Sequence, residues 1–125
     1  MPPSARVLVV EDDYLVGLDL QHALVQAGYS VRLARDGGQA IAAALAERPD
    51  LIIMDINLGG GPDGVEVATR LLGELGVRSI FATAYGDEAM RVRADAAQPL
   101  GWLRKPFTAT ALLAGVRQAL DTLGR

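Results

Sequence analysis

The chain contains no cysteine and a single histidine. Disulfides and thiolate chemistry are thereby excluded, and one chain cannot assemble a histidine-rich zinc site. Aromatic residues make up only 5% of it, while alanine, leucine and valine are frequent, so an aliphatic core is expected. Positive charge is not in excess. Twelve Lys and Arg stand against fifteen Asp and Glu, for a formal net charge of −3, whereas a nucleic-acid footprint would show a basic surplus. No apolar run approaches the roughly 18 residues that span a bilayer. The opening MPPSARVLVVEDD has one arginine and a short apolar run broken by acids. Neither a membrane span nor a secretory signal is expected, and cytoplasm is the default location.

What is present describes one globular domain over residues 1–125, half hydrophobic and 22% charged. A chain of this size can bury roughly two-thirds of its extended surface. Short apolar runs at residues 6–10, 30–34, 51–54, 78–82 and 101–104 read as strands. Between and after them lie helical patterns. The first runs from Leu15 to Ala27 with Gly28 as its cap. The second is AIAAALAE, preceded by an Asp36-Gly37 turn and stopped by Pro49. The third spans Gly64 to about Leu75, the fourth Asp87 to about Ala94, and the last is capped by Thr108 and reaches about Leu123. The stretch NLGGGPDG is a loop. A βα unit repeated five times predicts an α/β fold, a doubly wound parallel sheet with helices on both faces.

Such sheets bind ligands outside the C-terminal ends of their strands. The residues falling there are Asp12 and Asp13, Asp55, Thr83 and Lys105. If the first and third strands are neighbours, three carboxylates converge, and like charges at short range need a cation to offset them. Magnesium suits this, since it prefers oxygen and needs only one or two carboxylates. Asp55 then reads as a nucleophile for a phosphoryl group, with Lys105 and Thr83 compensating charge on its oxygens. Each residue alone has a plainer reading. Asp12 and Asp13 also suit a turn capping the first helix, Asp55 a loop carboxylate, and Lys105 a solvated charge.

The runs VLVVEDD (7–13), LIIMDINL (51–58), DG (63–64), FATAY (81–85) and LRKPF (103–107) resemble the receiver domain of two-component response regulators. The resemblance covers essentially the whole chain. It implies a flavodoxin-like three-layer sandwich of five helices around a five-stranded sheet in the order 2-1-3-4-5. It further implies that Asp55 is the phosphoacceptor and that Asp12 and Asp13 bind Mg2+ or Mn2+ with Asp55. Asn57 would give a backbone carbonyl to the metal, and Thr83 and Lys105 would contact the phosphoryl group. Pro106 would follow a cis peptide bond. The phosphodonor would be a histidine kinase or histidine phosphotransfer protein. The signalling surface would be the face of the fourth helix, fifth strand and fifth helix, turned to a downstream protein. FATAY is close to a signature of some small stand-alone regulators. The chain would catalyse only its own phosphorylation and dephosphorylation, with no independent small-molecule substrate.

Several positions depart from the family pattern. Gly59 stands where a proline is usual, and the DG pair comes one residue late, after Gly59-Gly60-Gly61-Pro62. The switch aromatic aligns with Trp102, larger than the usual ring. Ala84 and Tyr85 fall beside the active site at positions that modulate dephosphorylation, and Tyr85 is expected to slow self-hydrolysis. On the last helix Leu112, Leu113, Val116, Ala119, Leu120 and Leu123 read as a sheet-facing stripe, with a homodimer surface as the alternative. His22 reads as a surface or boundary residue. Arg91 and Arg93 read either as a solvated face or as a greeting to an acidic partner. Rival functions are a receiver-like docking module that signals without phosphorylation and a small metal-dependent phosphatase. A mononucleotide-binding protein is disfavoured, because the loop after the first strand, EDDYLVG, is acidic.

Overall fold

The computed structural model describes residues 4–59, 61–84 and 88–125. Five strands alternate with five helices: β1 (Arg6–Val10), α1 (Tyr14–Gln26), β2 (Ser30–Ala34), α2 (Gly37–Ala46), β3 (Leu51–Asp55), α3 (Gly64–Leu75), β4 (Ser79–Thr83), α4 (Glu88–Ala94), β5 (Gly101–Arg104) and α5 (Ala109–Thr122). All neighbouring strands pair in parallel, in the order β2-β1-β3-β4-β5. The expected architecture and strand order are therefore observed.

Strand periodicity divides the core in two. Leu8, Val10, Ile52, Met54 and Phe81 point to one face, where Ala40, Ala44, Val67, Ala68 and Leu71 of α2 and α3 cover them. Val7, Val9, Leu51, Ile53 and Ile80 point to the other, under Leu20 and Leu24 of α1 and Leu112, Val116 and Leu120 of α5. Every residue of β3 is buried. A strand enclosed on both faces needs apolar side chains at successive positions, which is why LIIM reads as a continuous run and not an alternating one. The stripe on α5 turns inward as expected. Leu112, Val116, Ala119 and Leu120 are buried, with Leu113 packed at their margin, whereas Leu123 is only half-buried and lies outside the core cluster. His22 is exposed, and no helix among the described residues is long and apolar enough to cross a membrane.

Helix α2 begins earlier than its alanine-rich run suggests. Asp36 is the N-cap, its carboxylate accepting the Gln39 N–H, so that Gly37 is already helical. Asp36-Gly37 thus starts a helix instead of making a free turn. Helix α3 opens with a reciprocal cap. The Asp63 side chain accepts from the Glu66 N–H, while Glu66 reaches back to the Asp63 N–H. At the end of α1, Gly28 takes φ +99°, which lets the chain reverse into β2.

Candidate functional site

Four loops leave the C-terminal edge of the sheet around an open cleft of about 360 Å³ lined by Glu11, Asp12, Asp13, Asp55, Asn57 and Lys105, with Val16 and Ala84 at its margin. β1 brings the first acid. The Glu11 N–H still donates to the Ala34 carbonyl at 3.0 Å, so the backbone remains in register with β2 one residue past the strand. The Glu11 side chain is consequently held at the sheet edge, and the residue is 4% exposed. Asp55 ends β3, as buried as Glu11, with Oδ1 accepting the Asn57 N–H at 3.1 Å. β5 delivers Lys105, whose Nζ donates to Glu11 Oε2 at 2.9 Å and lies 3.2 Å from Asp55 Oδ2. The Lys105–Pro106 bond is cis, as the resemblance implies.

Carboxylate oxygens of Glu11, Asp12 and Asp55 all lie within 4.8 Å of one another. The electrostatic consequence falls on Asp55. Burial, then the charge of Glu11, push its carboxyl up to about 7, despite the opposing pull of Lys105 and the Asn57 N–H. Asp12 shows the reverse. Slight burial raises it, but hydrogen bonds with Glu11, the Gly59 N–H and Asp55 hold it below the ordinary aspartate value. Burial also disfavours the charged Lys105, yet the Glu11 hydrogen bond and the Asp55 charge outweigh it and keep the ammonium firmly protonated.

Asp12, Asp55, Asn57 and Lys105 are thus brought together, and Ala84 borders them. Asp13 is not part of the carboxylate cluster. Its Oδ1 accepts the Leu15 and Val16 N–H groups at 3.0 and 3.2 Å, making it the N-cap of α1. The carboxylates clustered with Asp55 are Glu11 and Asp12, one residue earlier in the chain than the expected pair Asp12 and Asp13. The helix-capping alternative holds for Asp13 alone. Glu11 is the residue that sequence reading missed, and its signal was the acid directly abutting the strand. Thr83 ends β4 and is buried. It lines an adjoining cavity of about 180 Å³ together with Ala84, Glu88, Arg91, Trp102 and Arg104. Trp102 is half-buried and stacks on Phe81, its register partner on β4, with ring centroids 5.1 Å apart. Tyr85 lies outside the described residues.

A five-stranded parallel α/β sheet with acids at the ends of β1 and β3 and a lysine after β5 defines a receiver-type domain. The family model described as "Response regulator receiver domain" matches residues 7–117, and the chain belongs to that family. Among curated relatives, the transcriptional regulatory protein PdtaR of Mycobacterium tuberculosis is 32% identical over 117 residues, covering 93% of this chain and 57% of the relative. The response regulator MprA of Mycobacterium tuberculosis is 37% identical over 118 residues, covering 94% and 51%. This chain therefore spans about half the length of these relatives. Among solved structures, the signal receiver domain of a modulated diguanylate cyclase from Desulfovibrio desulfuricans G20 superposes with a TM-score of 0.88 at 35% identity, covering 95% of each chain. A CheY-like receiver domain protein from Methanospirillum hungatei JF-1 gives 0.89 at 26% identity, also covering 95% of each.

Proposed function

We propose that this chain is a phosphorylation-dependent signalling switch in which Asp55 accepts a phosphoryl group from a phosphohistidine, carried by a histidine kinase or a histidine phosphotransfer protein. The carrying observation is the convergence of three carboxylates within 4.8 Å, bridged by one lysine that contacts both Glu11 and Asp55. Hard oxygen donors at this density suit magnesium or manganese. Glu11, Asp12 and Asp55 would hold the ion through carboxylates and Asn57 through its carbonyl. Such an ion, when bound, supplies charge neutralisation and a ligand position for phosphoryl oxygen.

An Asp55 carboxylate oxygen forms the new P–O bond as the P–N bond of the donor breaks, and the leaving imidazole keeps the bonding pair. Lys105 stays protonated and transfers its hydrogen bond from Asp55 to a phosphoryl oxygen. Thr83, one strand over, supplies a hydroxyl donor, and Ala84 beside it keeps the approach open. The charge gained at Asp55 favours an inward Thr83 and a repositioned Trp102, which alters the face of α4, β5 and α5 for a downstream protein. The natural setting for such a switch is the cytoplasm.

Incubation with magnesium and acetyl phosphate, followed by intact mass, should add one phosphoryl group, and chelation of the metal should abolish the gain. No adduct from several competent donors would overturn the reading, and sustained turnover of a phosphomonoester would replace it with a phosphatase. Glu11→Gln should weaken magnesium binding at least about tenfold, the loss expected for a direct carboxylate ligand or its close partner. Asp13→Asn keeps an oxygen acceptor for the cap and should leave the affinity within about twofold. Magnesium titration of both variants separates the two acids, and equal losses would return Asp13 to the ligand set.

A further inference from the structure

Helix α4 is seven residues long and buries only Ala94, with Met90 half-buried and Val92 74% exposed. A helix that short has little stability of its own, and its apolar burial is slight. Its two arginines, read from sequence as solvated or partner-facing, are exposed and also reach back onto the domain. Arg93 Nη1 donates to Asp63 Oδ2 at 3.1 Å. Asp63 closes the loop that follows Asp55, and it caps α3. The guanidinium of Arg91 lies 4.3 Å from the Trp102 ring centroid, over a ring that itself stacks on Phe81. A guanidinium over indole is the favoured form of cation–π contact.

We propose that Arg91 and Arg93 form a two-point latch fastening α4 to β5 at Trp102 and to the loop after Asp55 at Asp63, so that loosening either point loosens both. That the loop reports the state of Asp55 rests on the functional reading above. The latch itself does not. By reciprocity, whatever shifts the loop shifts α4, and whatever draws α4 away loosens the loop.

Amide hydrogen exchange on the metal-free protein tests this. Arg93→Ala should speed exchange in residues 91–97 about fivefold, which corresponds to about 1 kcal/mol at 1.4 kcal/mol per tenfold. Asp63→Asn retains an acceptor for the Glu66 N–H, so the α3 cap survives, and it should give the same acceleration. The double variant should exceed neither single, because both remove one interaction. Arg91→Ala touches only the Trp102 end. It should speed α4 exchange, shift the emission of Trp102, the one tryptophan in the chain, and accelerate the Gly64 and Glu66 amides about twofold by reciprocity. Arg70→Ala, which breaks the exposed Arg70–Glu74 pair on α3, should leave α4 unchanged. Unaltered α4 exchange in Arg93→Ala, additive effects in the double variant, or silence at Gly64 and Glu66 in Arg91→Ala would overturn the latch. In a separate arm, beryllofluoride with magnesium should change α4 exchange in the wild type and much less in Arg93→Ala. Failure of beryllofluoride to bind would count against the functional reading and leave the latch to be decided by the metal-free comparison.

Discussion

Asp55→Asn should accept no phosphoryl group under conditions in which the wild type takes up one, and yet should be the more stable protein near pH 8 without metal. Both outcomes follow from the same carboxylate. In the proposed transfer its oxygen is the nucleophile, and an amide at that place cannot form the acyl phosphate. Its charge is also a burden, because burial and Glu11 push the carboxyl from 3.8 up to about 7. A raised folded-state value means that the folded protein binds this proton more tightly than the unfolded chain does. The associated stabilisation is complete below about pH 4. It declines as the pH rises through about 7, and above that the ionised group destabilises the fold. A tenfold difference in proton affinity between the folded and unfolded chain corresponds to about 1.4 kcal/mol. The edge of the cleft is open to water, so about 1–3 kcal/mol is the expected penalty at alkaline pH. The neutral asparagine escapes it, and Lys105 keeps its 2.9 Å bond to Glu11. Thermal melts in chelator should show a wild-type midpoint several degrees lower near pH 8 than near pH 5, with a much flatter profile for Asp55→Asn. Magnesium should close the gap by raising the wild type more than the variant. A variant no more stable than wild type at alkaline pH without metal would refute this account.

The second large effect is expected at Gly64. A Cβ built there collides with the Asp55 carbonyl oxygen and comes within 3.0 Å of both the Asp55 carbonyl carbon and the Ile56 Cα. These are backbone atoms at the end of the fully buried β3, so no side chain can swing aside. The Gly64 N–H also donates to the Ile56 carbonyl, which ties the start of α3 to the end of that strand. Gly64→Ala should therefore cost about 2–4 kcal/mol, in the range of severe overpacking. Surviving folded protein should accept phosphoryl groups slowly, because the displaced residue is the proposed acceptor. Gly73 provides the contrast. It sits in α3 with nothing within 4 Å of an added Cβ, and Gly73→Ala should stabilise by about 0.5–1 kcal/mol. Urea unfolding of the two variants measures both signs, and a Gly64→Ala cost under about 1 kcal/mol would show that β3 yields more readily than its burial implies.

The late Asp63-Gly64 pair is legible in the sequence as a motif, but its reason is not. Only the folded chain shows that aspartate caps α3 while glycine makes room for the end of β3. The strands were readable because parallel pairing buries both faces and writes short continuous apolar runs, of which LIIM is the plainest. The assignment of acids after β1 was not, since it depends on one residue of strand length. Pairing with β2 persists to Glu11, which moves the cluster back one position and frees Asp13 to cap the helix. Arg91 and Arg93 were opaque for a different reason. Their partners, Trp102 and Asp63, are distant in sequence, and no local periodicity records a side chain that folds back across the domain. Thr83 was placed correctly at its strand end, but the cavity it faces is shared with α4 and β5, which no single segment encodes.

Lys105 has a further consequence. It reaches across the sheet from β5 to residues contributed by β1 and β3. The carboxylates that β1 and β3 bring together meet their ammonium only when β5 completes the sheet edge, so the last strand supplies the counterweight to their repulsion. On the proposed reading, competence to take up phosphate is thereby tied to completion of the last strand.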